Sequence, residues 1–250
     1  MPNTHTYWRT DRPAEGFYTT ALPNDPTLTV RTFLPEHYEP RYPYPLLVLF
    51  HGRGSNEEQV LRLAPKLSRR NFVAISLRGP TEIGQRDNGF PACSWGENGG
   101  STETISDYVT RAVEQTRRTY HIHSERIYLV GVNEGATAAY RAAFLLGDQI
   151  AGVVALNGTL PRPQDKNPLF RLDQIRRQRV FISHSSANSA VMLPDAVRDQ
   201  RLLYAAGAQV QFSQYRAKQS IPAEMLKDVN RWIISNVNAE HDSYALKAVK

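Results

Sequence analysis

The sequence predicts an α/β fold, a mainly parallel central sheet with helices on both faces. Three observations predict it. Short, almost wholly apolar runs recur along the chain, at 45–50 (PLLVLF), 71–77 (NFVAISL), 126–130 (RIYLV), 150–156 (IAGVVAL) and 179–183 (RVFIS). Strands covered on both faces have this continuous pattern, whereas half-exposed strands alternate. Segments with helical spacing of apolar residues stand between the runs, and no repeat or linker interrupts the alternation, which is the order that right-handed crossovers turn into a parallel sheet. The 250 residues suit one domain with a single sizeable core.

The elements follow in order. Residues 1–25 carry Pro13, Gly16 and Pro23 and are expected to form an N-terminal extension; the domain then spans 26–240 and leaves 241–250 as a C-terminal tail. Leu28 and Val30 alternate in an early strand, and 45–50 follows as a central one. Ser55 and Glu58 have capping-box spacing, so a helix is expected from about Glu57, with Val60, Leu61 and Leu63 opening its apolar face. After 71–77 comes a long loop holding Gly84, Gly89, Pro91, Trp95, Gly96, Gly99 and Gly100; loops of that length are usually functional or disordered. A helix over 102–120 places Ile105, Tyr108, Val109, Ala112 and Val113 on one side. Beyond 126–130 the chain turns sharply at GVNEG and enters an alanine-rich helix, whose small side chains allow close packing on a sheet. A proline-bearing loop (Pro161, Pro163, Pro168) precedes 179–183. A helix over 195–205, an alternating strand over 209–215 (QVQFSQY) and a final helix opened by Pro222, with Met225, Val229, Trp232 and Ile233, complete the chain.

Composition narrows the function. The first twenty residues lack the basic start and apolar run of a signal peptide, and no apolar stretch approaches the roughly 20 residues of a spanning helix, so no membrane passage and a cytoplasmic location are expected. Cys93 is the single cysteine, which excludes an internal disulfide and a thiolate zinc cluster. The net charge of +6 is densest over 171–179 (RLDQIRRQR), but no basic-aromatic module accompanies it and nucleic-acid binding is not expected. His121 and His123 precede a strand without further ligands, so neither a metal nor a cofactor is expected.

In open α/β sheets, ligands bind beyond the carboxyl ends of the strands. Two loops there carry the clearest patterns. The first is His51-Gly52-Arg53-Gly54, whose glycines let backbone N–H groups face a cleft as anion donors. The second, Gly131-Val132-Asn133-Glu134-Gly135, has the frame of the nucleophile elbow G-x-S-x-G with asparagine at the serine position. Asparagine tolerates the rare dihedrals of such a turn better than most residues.

On these motifs the chain resembles the carboxylesterase/phospholipase group of α/β-hydrolases, which includes acyl-protein thioesterase-like enzymes, over about residues 28–237. The resemblance implies the α/β-hydrolase fold and a serine-hydrolase site. It also implies an oxyanion hole made by the backbone N–H groups of Arg53 and Glu134. The family's H-G-x-x-D-x-x-V segment corresponds to 184–191 (HSSANSAV), which puts Asn188 at the triad acid. Its histidine, in a tyrosine-led loop before the last helix, corresponds within 215–222 (YRAKQSIP) to Gln219. The triad positions are thus Asn133, Asn188 and Gln219. Amides do not titrate near neutrality and take no proton from a hydroxyl.

The expectation is therefore a catalytically inactive pseudo-hydrolase that binds an acyl, ester or carboxylate ligand, or a protein partner. Two alternatives stay open. One is a hydrolase with a noncanonical site built on His51 or His184 and a nearby Ser185, Ser186 or Ser220. The other is a scaffold protein with a collapsed cleft. Gly52, Gly54, Trp95 and Tyr215 complete the cleft candidates, the two aromatics serving either as cleft walls or as ordinary packing. Cys93 is expected to be a buried, inert thiol. Glu134 puts a negative charge next to the elbow, and the direction of its side chain bears on whether an anion is welcome.

Overall fold

The computed structural model describes residues 16–22, 25–87, 89–96, 100–162, 175–218 and 220–248. Its elements in chain order are β1 (Gly16–Leu22), β2 (Asp25–Leu34), β3 (Tyr44–Phe50), α1 (Glu57–Leu61), α2 (Ala64–Leu67), β4 (Val73–Leu77), β5 (Thr81–Gln85), β6 (Pro91–Ser94), α3 (Thr102–Thr119) and β7 (Ile122–Val132). There follow α4 (Glu134–Leu146), β8 (Gly152–Leu156), β9 (Arg179–Ser185), α5 (Leu193–Ala205), β10 (Gln209–Tyr215) and α6 (Ala223–Ala248).

One sheet has the strand order β1-β2-β4-β3-β7-β8-β9-β10. From β4 through β10 every neighbouring pair is parallel, and β1 and β2 add an antiparallel margin. Every residue of β3, β4 and β8 is buried, because both faces of the sheet are covered. Alternation along each strand sorts the side chains. Val48, Phe50, Ile75, Leu129 and Ile182 enter a core shared with Ile105, Val109 and Ala112 of α3, with the alanines of α4, and with Ala196 and Leu203 of α5. Leu47, Leu49, Ala74, Val130 and Phe181 enter the opposite core with Val60 and Leu61 of α1, Leu67 of α2 and Val229, Trp232 and Ile233 of α6.

The chain leaves β3 for β4 on one side and returns for β7 on the other. The strand order therefore reverses at β3, and the crevice for a ligand is expected beyond the carboxyl ends of β3 and β7.

The structure departs from the sequence reading in four places. Gly16–Leu22, expected within the extension, is the outer strand of the sheet, paired antiparallel with β2, which supplies the backbone bonds that make it one. The loop over 78–100 contains a hairpin, β5 with β6. The first helix is capped by Asn56, whose Oδ1 accepts the Gln59 N–H at 3.1 Å, while Ser55 bonds the Gln59 side chain instead. Glu58 is drawn away from any capping box by Arg31, at 2.8 Å, and by Arg62. Finally, α6 continues through most of the stretch set apart as a tail. Among the described residues no helix is long and apolar enough to cross a membrane.

Candidate active site

At the end of β7 the backbone turns through Asn133, at φ 49° and ψ −117°, directly into α4. This positive φ, at a ψ outside the left-handed helical well, is strained for any L-residue. The turn is also tight. A Cβ on Gly131 would lie 2.3 Å from Ala136 Cα, and one on Gly135 would lie 2.3 Å from the Phe50 carbonyl oxygen and 2.5 Å from that of His51. Only glycine fits on either side of Asn133, and the contact at Gly135 presses the elbow against the loop after β3. A Cβ on Gly52 in that loop would in turn lie 3.5 Å from both Cβ and Nδ2 of Asn133. Neither the Arg53 N–H nor the Glu134 N–H has a partner among the described residues.

The Asn133 side chain meets that of Asn188, whose Nδ2 donates to Asn133 Oδ1 at 3.1 Å. The same Nδ2 donates to the Asn157 carbonyl at 3.1 Å, and Asn188 Oδ1 accepts the Ala190 N–H at 2.8 Å. Asn157 stands at the end of β8, 1% exposed and at φ 54°. Its Oδ1 accepts the buried Ser185 N–H at 2.7 Å and its Nδ2 donates to the Ser220 carbonyl at 2.6 Å. The loops after β7, β8, β9 and β10 are therefore joined by amides. Asn133 and Asn188 come together; Gln219 lies outside the described residues.

The two histidines have separate surroundings. His51 is fully buried, its Nδ1–H donates to the Gly52 carbonyl at 2.8 Å, and its Nε2 accepts the Gly79 N–H at 2.8 Å. Burial holds the ring below its ordinary pKa, and in this neutral tautomer both nitrogens are occupied, which leaves none to take a substrate proton. Its role here is to brace the loop after β3 from beneath. Trp95 packs near it, its ring tilted by 34° with centroids 5.2 Å apart, and donates Nε1–H to the His51 carbonyl at 2.9 Å. His184 is buried on β9, its Nδ1 has no hydrogen-bond partner among the described residues, and desolvation lowers its pKa.

Trp95 is 1% exposed within the α3/α4-side core, and Tyr215 belongs to the α6-side core, where its hydroxyl donates to Asp228 at 2.8 Å. Both aromatics are packing residues; neither forms an open wall. Cys93 is buried as well, and burial raises its thiol pKa.

Glu134 turns its carboxylate away from the elbow tip toward β6. Oε1 accepts the Ser94 hydroxyl at 2.8 Å, Oε2 accepts the Trp95 N–H at 3.1 Å, and the Arg53 guanidinium stands 3.5 Å from Oε1. Ser94 forms a hydroxyl–carboxylate pair next to the backbone donors, which would be the raw material of a substitute nucleophile. It is 1% exposed, however, and its oxygen already accepts the Gly96 N–H at 3.1 Å and Arg53 Nη1 at 3.3 Å. A buried carboxylate nearby, Glu57, is committed to Arg78, with Nε to Oε2 at 2.9 Å.

The hairpin clamps this arrangement. Gly54 N–H donates to the Cys93 carbonyl at 2.9 Å, Cys93 N–H to that of Ser55 at 2.8 Å, and Asn56 Nδ2 to that of Pro91 at 2.9 Å, while Arg86 caps the Gly54 carbonyl. Sequence reasoning missed Asn157 and the hairpin, although each has a signal. Asn157-Gly158 is a turn dipeptide at a strand end, and Asp87-Asn88-Gly89 is a hairpin-turn tripeptide. Among the described residues no group of three or more His, Cys, Asp or Glu side chains is placed to hold a metal ion.

The fold agrees with comparison to known proteins. The profile of the Phospholipase/Carboxylesterase family matches residues 39–237. The chain belongs to this family of α/β-hydrolases. Its fold is similar to that of the Bacillus cereus carboxylesterase, with TM-score 0.61, 18% identity, and coverage of 94% of this chain and all (100%) of that one. An esterase from Rhizomucor miehei gives TM-score 0.69 at 13% identity, covering 96% of this chain and 88% of the other. A phospholipase/carboxylesterase from Dyadobacter fermentans gives 0.58 at 18%, covering 88% and 96%. A search of curated proteins finds no match. Identities this low carry the family fold; the chemistry of this member must be argued from its own side chains.

Proposed function

We propose that this family member is a pseudo-hydrolase, whose active-site crevice holds an acyl, ester or carboxylate ligand without cleaving it. In this reading Asn133, Asn188 and Gln219 occupy the positions of nucleophile, acid and base. The observation that carries it is the contact between Asn133 and Asn188, amide to amide at 3.1 Å, at the elbow tip. A hydrolase needs a group there that loses a proton and another that takes it, and neither amide titrates near neutrality. His51 is no substitute, since both its nitrogens are engaged, and Ser94 is buried with its lone pairs taken. Retention of the strained elbow beside two backbone N–H donors supports a crevice kept for binding.

The test is hydrolysis of p-nitrophenyl butyrate by the wild type, by Asn133→Ser, and by the triple variant Asn133→Ser, Asn188→Asp, Gln219→His. Wild type and single variant are expected to stay at the buffer rate, because serine alone lacks a base, and the triple variant is expected to rise above it. Triad members act as a unit, so restoring one is worth little without the others. Wild-type turnover that scales with protein and disappears in His184→Ala overturns the reading.

A further inference from the structure

Asn133 does more than remove a nucleophile; the orientation of its amide changes which oxygen ligand the crevice prefers. That orientation follows from main-chain groups whose identity is unambiguous. The Ala190 N–H can only donate, so the Asn188 atom facing it at 2.8 Å is Oδ1. The Asn157 carbonyl can only accept, so the atom facing it at 3.1 Å is Asn188 Nδ2. This same Nδ2 points at Asn133, which must answer with Oδ1. Asn133 Nδ2 is therefore the free end of the amide. It has no hydrogen-bond partner among the described residues, and it faces Gly52, beside the donor loop.

Where a hydrolase presents a lone pair to a carbonyl carbon, this crevice presents an N–H donor. With the backbone N–H groups of Arg53 and Glu134, Asn133 Nδ2 gives the tip three donors, while Asn133 Oδ1 is turned to Asn188. Resting on the ligand-holding reading above, we infer that the crevice selects a free carboxylate over the corresponding ester, one carboxylate oxygen on the two backbone N–H groups and the other on Asn133 Nδ2.

Ester and acid differ at that second oxygen. The carbonyl oxygen of an ester satisfies the backbone donors as well as one carboxylate oxygen does in geometry, but its alkoxy oxygen is a poor acceptor, so Asn133 Nδ2 would lose water on binding and gain little. A carboxylate has two strong acceptors, and hydrogen bonds to an ionised acceptor are roughly twice as strong as neutral ones. Two fields favour its charge. One is the N-terminal end of the 13-residue α4; the other is the Arg53 guanidinium, whose side chain is 65% exposed beside the site. Glu134 opposes it, but the Ser94 hydroxyl, the Trp95 N–H and Arg53 hold that carboxylate and lower the cost.

The experiment is titration calorimetry or ligand-observed NMR at pH 7.5 with acetate, butyrate and methyl butyrate, on wild type, Asn133→Ser and Asn133→Asp. Unchanged circular dichroism and thermal midpoint verify that each variant is folded. Wild type is expected to bind butyrate at least tenfold more tightly than methyl butyrate. Asn133→Ser, whose hydroxyl still donates but is too short to reach the second oxygen from the elbow, is expected to lose about tenfold for the acid and little for the ester. Asn133→Asp, nearly isosteric but with a negative oxygen replacing the donor, is expected to lose the acid altogether. Equal binding of acid and ester, or acid binding that survives in Asn133→Asp, overturns the selectivity and leaves the ligand-holding reading intact. Folded wild type that binds none of the three overturns both.

Discussion

Asn157→Ala is the most informative single perturbation of the site's scaffold. The residue is buried, adopts φ 54°, and uses both ends of its side chain: Oδ1 accepts the Ser185 N–H at 2.7 Å, and Nδ2 donates to the Ser220 carbonyl at 2.6 Å. Truncation removes the acceptor that Asn157 Oδ1 gives the buried Ser185 N–H, which costs about 1–3 kcal/mol. Losing the bond to Ser220 adds about 0.5–1.5 kcal/mol. Alanine also tolerates a left-handed backbone less well than asparagine, adding roughly 1 kcal/mol. The expected loss is about 3–5 kcal/mol, read as a lower urea midpoint at unchanged slope and a thermal midpoint down by about 6–20 °C. The Asn157 main-chain carbonyl that receives Asn188 Nδ2 is still present in the variant, so the effect reports the side chain itself. A loss below about 1 kcal/mol refutes the reasoning, because it would mean that the four loops are not held together through this amide.

Two further outcomes follow from the same geometry. Gly135→Ala drives a Cβ to 2.3 Å from the Phe50 carbonyl oxygen, against backbone that has no rotamer with which to yield; a loss of about 3 kcal/mol or more is expected in urea denaturation, and a change within about 1 kcal/mol would show that the elbow is free to move off the β3 loop. Burial lowers the pKa of both His51 and His184 from 6.5. The unfolded chain then binds more protons than the folded one, so their contribution to stability is complete above about pH 6.5 and is lost as pH falls through the lower native values. Urea midpoints measured from pH 8 to pH 5.5 are expected to fall over the acid half of that range and to fall less in His184→Gln; a flat wild-type profile contradicts the assignment of neutral rings.

The sheet and its two coats are written in the amino-acid order, because continuous apolar runs such as PLLVLF and GVVAL have no stable place except between two layers, and their succession along the chain leaves few topologies open. The same order also marks the elbow, since Gly131 and Gly135 flanking Asn133 are a local steric requirement written in adjacent residues. Gly16–Leu22 was not legible as a strand, because an outer strand is decided by the partner that accepts its backbone bonds. The same holds for the site's electrostatics. Whether Glu134 faces the tip or β6 depends on Ser94 and Trp95, some forty residues away, and whether His51 is a base or a brace depends on the Gly79 N–H. The free Asn133 Nδ2 is likewise assigned only through Asn188, Asn157 and Ala190. Tertiary structure alone decided these, because a hydrogen bond depends on distance in space, and the residues that settle each side chain's orientation arrive from other loops.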